Sequence, residues 1–234
     1  MTDLSSPPEA DLRAGRPGGS FCWSQPLVPG RFRRREQRFL AEVEVADGLR
    51  VWAHVPNSGA LTGCLIPGME VLLTREDRPG RRTAYTWRFC RVNGIWVSVD
   101  TLMPNRLIAR SLATTGLPGL EPPLRVQAEV PLASGGRLDF VVEQQGRRHF
   151  LEVKSITWVE DGVALFPDGV TTRGRRHLQV LQALVAQGHQ AWNIFVIQRA
   201  DARVMAPAAH IDPAYAQEWA RAAQAGVRLL ALAT

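Results

Sequence analysis

Lysine is almost absent from this chain of 234 residues. Of its 28 lysine and arginine residues only Lys154 is a lysine, so the chain uses arginine wherever a surface charge or an ion pair is sufficient. A lysine ammonium is compact and can lose its proton, whereas a guanidinium in a protein stays charged. Lys154 is therefore expected at a position where those two properties matter.

Cysteine and long apolar runs are also scarce. The three cysteines, Cys22, Cys64 and Cys90, are odd in number and far apart, so neither a disulfide framework nor a zinc site follows from them. No apolar run approaches the ~20 residues of a membrane helix. The N-terminus lacks the apolar core of a signal peptide. Together these absences lead us to expect a cytoplasmic protein without a membrane partner.

The charge balance favours a polyanionic partner. The formal net charge is +6 and the isoelectric point is about 10.2, values typical of proteins that bind nucleic acid. A codon bias toward arginine would give the same composition, so the charge alone does not decide between these explanations.

The surroundings of the lysine resemble a known catalytic motif. Lys154 follows Glu152 by two residues in a strand-like run, and Asp139 lies thirteen residues before Glu152 in another such run. An Asp followed by Glu-x-Lys on adjacent strands is the arrangement of the PD-(D/E)xK metal-dependent nucleases. Short matches of this kind are common, and a solvated strand face is the alternative interpretation.

The first half of the chain reads as a tail and a small barrel. Residues 1–22 are rich in Pro, Gly, Ser and charge, which predicts a flexible tail. Residues 23–101 contain about five short strand-like runs separated by turn signals such as Asn93-Gly94. This pattern predicts an OB-like barrel, a fold that often binds single-stranded nucleic acid.

A basic segment opens the barrel. It carries five arginines next to Phe32 and Phe39, namely Arg31, Arg33, Arg34, Arg35 and Arg38. Guanidinium groups beside aromatic rings suit phosphate contact and base stacking, so these arginines are candidate nucleic-acid contacts. The alternative is an edge strand whose charges prevent aggregation.

The sequence pattern over residues 102–234 differs from that of the barrel, because it contains helix signals as well as strands. A short helix from Pro104, three strands, a helix over 171–187 and a buried strand over 192–198 follow in order. A last helix and strand complete the chain. This αβββαβ order is that of a restriction-endonuclease-like domain, which agrees with the motif around Lys154, so we expect a mixed α+β protein.

Strand alternation predicts how the motif residues meet. Glu152 and Lys154 share one face of their strand, and in a meander Asp139 converges with Glu152. Two carboxylates with a backbone carbonyl and waters suit Mg²⁺ or Mn²⁺. Lys154 would then stabilise the attacking water and the charge on the phosphate. Glu129 is a candidate third ligand, although a surface role is the simpler interpretation.

The helix over 171–187 supplies two further candidates. Arg173 and His177 are four residues apart, so they lie on one side of the helix near its N-terminus. A helix N-terminus favours anions, and a phosphate could dock there.

Several longer motifs resemble the sugar fermentation stimulation protein A (SfsA) family. They run through nearly all of the chain after the tail and include Arg38-Phe39-Leu40-Ala41, His54-Val55-Pro56-Asn57-Ser58-Gly59, Arg137-Leu138-Asp139-Phe140, Leu151-Glu152-Val153-Lys154-Ser155 and Phe166-Pro167-Asp168-Gly169-Val170 with the eight residues that follow. The chain departs from the family pattern at Ala60, where Arg or Ser is usual, and at Arg176, where Lys is usual.

This resemblance implies an OB-like domain, a PD-(D/E)xK-like domain and DNA binding, with a regulatory role in sugar metabolism. It adds His54, Asn57 and Arg137 to the candidate nucleic-acid contacts. Two function classes follow. One is a Mg²⁺-dependent DNA nuclease with Asp139, Glu152 and Lys154 as catalytic residues. The other is a DNA-binding regulator that keeps the nuclease fold without cutting. RNA as the partner, the strand preference and the oligomeric state stay open.

Overall fold

The computed structural model describes residues 25–132 and 136–234. The predicted tail over residues 1–22, together with Cys22, lies outside this part of the chain. Within the described residues no helix combines the length and the apolar character that crossing a membrane requires.

The N-terminal domain is a closed barrel. Its described strands are β1 (Leu27–Glu36), β2 (Leu40–Glu44), β3 (Arg50–His54), β4 (Glu70–Arg75), β5 (Tyr85–Val92) and β6 (Ile95–Ser98). They form a sheet in the order β3-β2-β1-β4-β5-β6, and a parallel pairing of β3 with β5 closes it. This is the OB topology that the sequence predicted. The basic segment forms most of β1, which lies between β2 and β4 and is therefore not an edge strand.

Alternating apolar side chains of the six strands fill the barrel. Phe32 stacks on Trp87 with ring centroids 5.1 Å apart, and the thiols of Cys64 and Cys90 are free and buried in the same core. Gly30 permits β1 to approach β2, because a Cβ atom there would lie 2.5 Å from Cγ1 of Val43. The barrel is thus held by a continuous apolar core.

The C-terminal domain is built on a mixed sheet. Its elements are α1 (Met103–Ala113), β7 (Arg125–Pro131), β8 (Arg137–Gln144), β9 (Arg147–Ile156), β10 (Val159–Glu160), β11 (Val163–Phe166), α2 (Thr172–Ala186), β12 (Gln190–Ile197), β13 (Val204–Pro207), α3 (Pro213–Gln224) and β14 (Arg228–Ala233). The main sheet has the order β14-β12-β9-β8-β7, with β9, β12 and β14 parallel. The predicted restriction-endonuclease-like architecture is confirmed.

A small second sheet was not predicted. It has the order β10-β11-β13, and it arises because β9 ends at Ile156 and a separate short strand begins at Val159. Apolar and β-branched residues continue through this stretch, so the sequence pattern alone does not show the break. The loop after β11 carries Asp168 to the barrel, where it contacts Leu61.

Helices cover both faces of the main sheet. Leu151 and Val153 of β9 pack in the apolar cluster that contains Ile108 and Leu112 of α1. The opposite face, to which Phe150 contributes, packs against α2 and α3. Because side chains alternate along a strand, Glu152 lies on the α2 side of β9.

The two domains are in direct contact. Asp168 of the C-terminal domain accepts a hydrogen bond from the backbone N–H of Leu61 in the barrel (2.9 Å). Thr101, at the junction of the two domains, donates to the carbonyl of Pro56 from its backbone N–H (3.2 Å) and its hydroxyl (3.0 Å). These bonds place the loop over residues 56–61 of the barrel above the end of β9.

Candidate active site

Two carboxylates lie on neighbouring strands. The antiparallel pairing of β8 and β9 ends with Phe140 and Leu151, and Asp139 and Glu152 are the residues that follow this pair on the two strands. Because side chains alternate along each strand, Asp139 and Glu152 point to the face opposite that of Phe140 and Leu151. Both carboxylates, together with Lys154, line one cleft of about 840 Å³ between the domains.

Asp139 is held by two donors. Asn105 of α1 donates from Nδ2 to Oδ1 (2.7 Å), and the backbone N–H of Val153 donates to Oδ2 (2.7 Å). Burial raises the pKa of Asp139, and the nearby negative charge of Glu152 raises it further. The ionised form is therefore disfavoured unless another positive charge is close by.

Glu152 is almost fully buried, with 4% of its surface exposed. Lys154 donates from Nζ to Oε1 (2.6 Å), and Nδ1 of His177 makes a short contact with the same oxygen. Burial acts to raise the pKa of Glu152, but the hydrogen bond from His177 and the charge of Lys154 outweigh it and lower the pKa. Glu152 is thus an ionised carboxylate inside the protein.

The second carboxylate oxygen of Glu152, Oε2, has a different environment from Oε1. Oε2 is buried and has no hydrogen-bond partner in the described part of the chain. An unsatisfied buried charged atom costs free energy, typically 1–3 kcal/mol or more. Such an atom beside a second carboxylate is chemically suited to an electropositive partner.

Helix α2 fixes the ring of His177. Nε of Arg173 donates to Nε2 of His177 (3.4 Å), so Nε2 acts as the acceptor and the ring proton lies on Nδ1. Nδ1 then donates to Glu152, and its 3.2 Å approach to Lys154 is a contact rather than a hydrogen bond. The side chain of Thr171 caps this helix by accepting from the N–H of Gly174 (3.0 Å).

The donor set fits a hard divalent cation. Oxygen ligands suit Mg²⁺, Mn²⁺ and Ca²⁺, and each carboxylate oxygen of Asp139 keeps a lone pair beside its hydrogen bond. Among residues 25–132 and 136–234 no group of three His, Cys, Asp or Glu side chains is arranged for a metal. The remaining ligands would have to come from backbone carbonyls, water or substrate.

Glu129 does not complete such a group. It lies at an irregular position of β7 with a φ of 53°, and its exposed carboxylate pairs with Arg137 at 3.6 Å. Arg137, a predicted nucleic-acid contact, lines a pocket of about 570 Å³ together with Glu129, Asp139, Arg173 and His177. This pocket adjoins the carboxylates from the α2 side.

Three arginines of the basic segment are neutralised within the barrel. Arg33 pairs with Glu44 across β1 and β2, and Arg34 pairs with Glu42 (2.8 Å) and Glu36. Arg31 donates to the carbonyl of Gly68 (3.1 Å) and approaches Glu70 at 4.0 Å. Their charges are therefore largely offset by cross-strand partners.

Arg35 and Arg38 reach the interdomain cleft. Arg35 donates to the carbonyls of Gly59 (2.8 Å) and Asn57, and burial lowers its pKa. Asn57 is also structural, because its Nδ2 donates to Val99 (3.1 Å) and its Oδ1 accepts from Gly59 (2.7 Å). Arg38 lines the cleft, and its side chain has no polar partner among the described residues.

Three residues at the site were not predicted. Asn105 orients Asp139, Asp168 joins the cleft to the barrel, and Asn193 of β12 lies in register with Glu152. Asn193 is buried and both polar atoms of its side chain lack a partner in the described structure, as does the hydroxyl of Tyr215. A single asparagine inside the apolar run of β12 was the available signal for Asn193.

The departures from the family pattern lie near these sites. Ala60 lines the interdomain cleft, where an arginine would have added a positive charge. Arg176 lines the adjoining pocket beside α2 and retains the positive charge that lysine would supply there.

The fold and the site define a two-domain protein in which an OB barrel precedes a restriction-endonuclease-like domain. Residues 34–99 match the model of the SfsA N-terminal OB domain, and residues 102–234 match that of the sugar fermentation stimulation protein RE domain. The chain belongs to the sugar fermentation stimulation protein family.

Relatives support this assignment along most of the chain. A sugar fermentation stimulation protein homolog of Citrifermentans bemidjiense is 43% identical over 207 residues, which cover 88% of this chain and 90% of that protein. A homolog of Geobacter sulfurreducens is 44% identical, with 88% and 89% covered. The structure of Pyrococcus furiosus SfsA in complex with Ca²⁺ superimposes with a TM-score of 0.81 at 29% identity and covers 89% of this chain and 88% of that one.

Proposed function

We propose that this protein binds DNA in the interdomain cleft and hydrolyses its phosphodiester bonds with a divalent cation held by Asp139 and Glu152. The observation that carries the proposal is the buried Oε2 atom of Glu152, which has no partner in the described structure and belongs to a residue that lines the same cleft as Asp139. A structural ion pair alone would leave no reason for that atom to stay unsatisfied.

The metal requirement has two further supports. The raised pKa of Asp139 indicates a carboxylate pair that a nearby cation would stabilise. The Pyrococcus furiosus relative was solved with Ca²⁺, an ion with the same preference for oxygen ligands as Mg²⁺ and Mn²⁺. When bound, such a cation supplies Lewis acidity toward the phosphate and lowers the pKa of a coordinated water.

The protein's own residues then have separate roles. Asn105 and the N–H of Val153 orient Asp139, while His177 fixes one oxygen of Glu152 and leaves the other available to a cation. The side chain of Lys154 is 14% exposed, and its ammonium stabilises negative charge as it develops on the phosphate. Arg173 lines the cleft on the α2 side and binds the phosphate before or after the scissile bond.

A non-catalytic DNA-binding regulator of sugar metabolism is the second candidate. One observation favours it: Oε1 of Glu152 already accepts from Lys154 and His177, and the ammonium of Lys154 balances the carboxylate charge without a metal. In this interpretation Glu152, Lys154 and His177 stabilise the fold, and the cleft binds DNA without cutting it.

The substitution Lys154→Arg separates the two candidates. It keeps the charge, so affinity for DNA measured in EDTA should stay nearly constant. The larger planar group cannot occupy the space of the ammonium or exchange a proton, so cleavage in Mg²⁺ or Mn²⁺ should fall by roughly 10²–10⁴-fold. The measurement is a pair of assays, cleavage and binding, on wild type and Lys154→Arg with DNA and RNA substrates.

Two outcomes would contradict the proposal. Cleavage that survives Lys154→Arg removes Lys154 from the chemistry. A wild-type protein that binds DNA but cuts neither single nor double strands in any of these metals supports the regulator.

A further inference from the structure

A second concave site lies on the barrel, away from the carboxylates. It has a volume of about 570 Å³ and is formed by the turn between β1 and β2, by His54 and by residues 78–83 of the loop between β4 and β5. We call it the loop pocket. Gln37 and Phe39 of the turn line it, while Arg38 between them lines the interdomain cleft.

An exposed aromatic ring forms one wall of the loop pocket. Phe39 is 47% exposed, and it lies nearly parallel to the ring of His54, with centroids 6.4 Å apart and planes 15° apart. The backbone around Phe39 is fixed, because its carbonyl accepts from Val55 (2.8 Å). A positioned ring with a free face is suited to stacking on a flat ligand.

The ring of His54 is neutral at physiological pH. Burial lowers its pKa, and the charge of Arg81 lowers it further. The stacked pair of Phe39 and His54 therefore presents an uncharged aromatic surface next to a strongly basic loop.

The basic loop carries two arginines that have no polar partner among the described residues. Arg81 is fixed by Thr86 (2.8 Å) and Glu76 (3.5 Å). Arg78 and Arg82 are exposed, and neither has a hydrogen bond or an ion pair within the described residues. They differ in this from Arg33 and Arg34 of β1, whose charges are offset, so Arg78 and Arg82 are available for an anion.

We infer that the loop pocket binds one nucleotide of a single-stranded nucleic acid, with its base on Phe39 and its phosphates on Arg78 and Arg82. The strand then crosses the turn between β1 and β2, past Arg38, into the interdomain cleft. The faces of bases in a duplex are covered by their neighbours, so only a single strand or a frayed end can stack in this way. This inference deepens the proposed function, and it selects single strands as the substrate.

The test measures binding in EDTA, so that it does not depend on cleavage. Fluorescence anisotropy with a labelled single strand of about 12 nucleotides, a length within the range of OB sites, is compared with a duplex. Phe39→Leu should weaken single-strand binding by roughly 5- to 150-fold, the range expected for one stacked base, and should leave duplex binding unchanged. Phe39→Tyr should restore the affinity.

The arginines are tested by salt dependence. The double variant Arg78→Gln with Arg82→Gln should lower the slope of log affinity against log salt by roughly 0.7 for each phosphate that is no longer neutralised. The charge-matched control is Arg110→Gln with Arg147→Gln. Both of these arginines are exposed, and Arg147 lies seven residues along β9 from Lys154. The control should lower the slope less than the loop variant does.

Three results would overturn the inference. The first is an equal loss of single-strand and duplex affinity in Phe39→Leu, and the second is an equal salt slope in the loop variant and its control. The third is efficient competition by a free mononucleotide, which would identify a small-molecule site. Failure of the proposed function looks different. Phe39-dependent binding of single strands together with absent cleavage would keep the loop pocket and reject only the nuclease.

Discussion

The barrel and the C-terminal domain treat charge in opposite ways. On β1 the guanidinium groups of Arg33 and Arg34 are exposed and lie against glutamates on the neighbouring strand. In the C-terminal domain two carboxylates and a lysine are largely buried, and one oxygen of Glu152 lacks a partner in the described structure. On the densely charged strand β1 the charges of Arg33 and Arg34 are thus compensated by neighbouring glutamates, whereas the buried carboxylate of Glu152 is satisfied at one oxygen only.

This contrast teaches where to look for a site. A dense row of charges on a sheet surface costs little free energy, because water solvates the charges and cross-strand partners pair with them. A buried charge with an unsatisfied atom is costly, so it persists only where something else requires it. The same criterion distinguishes Arg78 and Arg82, which are unpaired among the described residues, from the arginines of β1.

The largest expected effect is on the buried carboxylate. Glu152→Gln removes the charge that would hold the cation, so cleavage should fall by more than the roughly 10–100-fold typical of removing a group that only orients a metal ligand. The rise in melting temperature produced by Mn²⁺ or Ca²⁺ should also disappear. The control is Glu143→Gln at an exposed position of β8. This variant should keep wild-type cleavage and the metal-induced rise in melting temperature. A retained thermal shift in Glu152→Gln would exclude Glu152 as a ligand.

A buried ion pair in the barrel gives the next largest effect. Asp100 is buried and pairs with Arg88 at 2.9 Å, and its other oxygen accepts from the N–H of Leu102 (2.9 Å) at the start of α1. Asp100→Ala should reduce the free energy of unfolding by about 1–3 kcal/mol, because it removes one buried partner of Arg88, which still pairs with Glu76 at 2.7 Å, and leaves the N–H of Leu102 without its acceptor. Hydrogen exchange of amides in β5 makes the measurement.

The exposed pair of Glu44 and Arg33 is the control for that change. Glu44→Ala should alter stability by only about 0–1 kcal/mol. Similar losses in the two variants would mean that burial does not distinguish these ion pairs.

A smaller effect separates two arginines of the basic segment. Arg38→Gln removes a charge at the cleft whose side chain has no polar partner in the described structure, so the salt slope of single-strand binding should fall by roughly 0.7. Arg34→Gln removes a charge that Glu42 and Glu36 already offset, and its slope should stay at the wild-type value. Equal slopes for both variants would show that internal pairing does not predict DNA contact.

The smallest expected effect concerns two histidines, one in each domain. Burial and neighbouring arginines lower the pKa of His54 and of His149. Each binds its proton less readily in the folded than in the unfolded protein, so stability falls as the pH drops below the ordinary value of about 6.5. His149→Gln and His54→Gln should each lose less stability than wild type between about pH 7.5 and 5.5. Parallel denaturation curves would contradict this.

The sequence predicted those features that depend on local pattern. Alternation along strands placed Asp139, Glu152 and Lys154 together, and apolar spacing located α2 to within one residue at each end. The partners of the β1 arginines could not be foreseen, because Arg34 meets Glu42 only in the register of β1 and β2.

Contacts between distant segments were also beyond the sequence. Asn105 reaches Asp139 because α1 docks against the sheet, and Asp168 meets Leu61 although 107 positions separate them. Neither contact follows from spacing or composition. These are the interactions that give the cleft its shape.

The bond between Asp168 and Leu61 has a consequence for modular recombination of the two domains. Leu61 adopts a φ of 54°, an uncommon conformation for a leucine, so the loop presents its N–H to a carboxylate of the other domain at some conformational cost. A barrel transplanted from a relative would fold on its own apolar core, yet it would meet this C-terminal domain correctly only if its loop adopted the same conformation. The two halves of the cleft are therefore expected to be inherited as one unit. Chimeras joined near Asp100 should fold, but their cleft should function poorly.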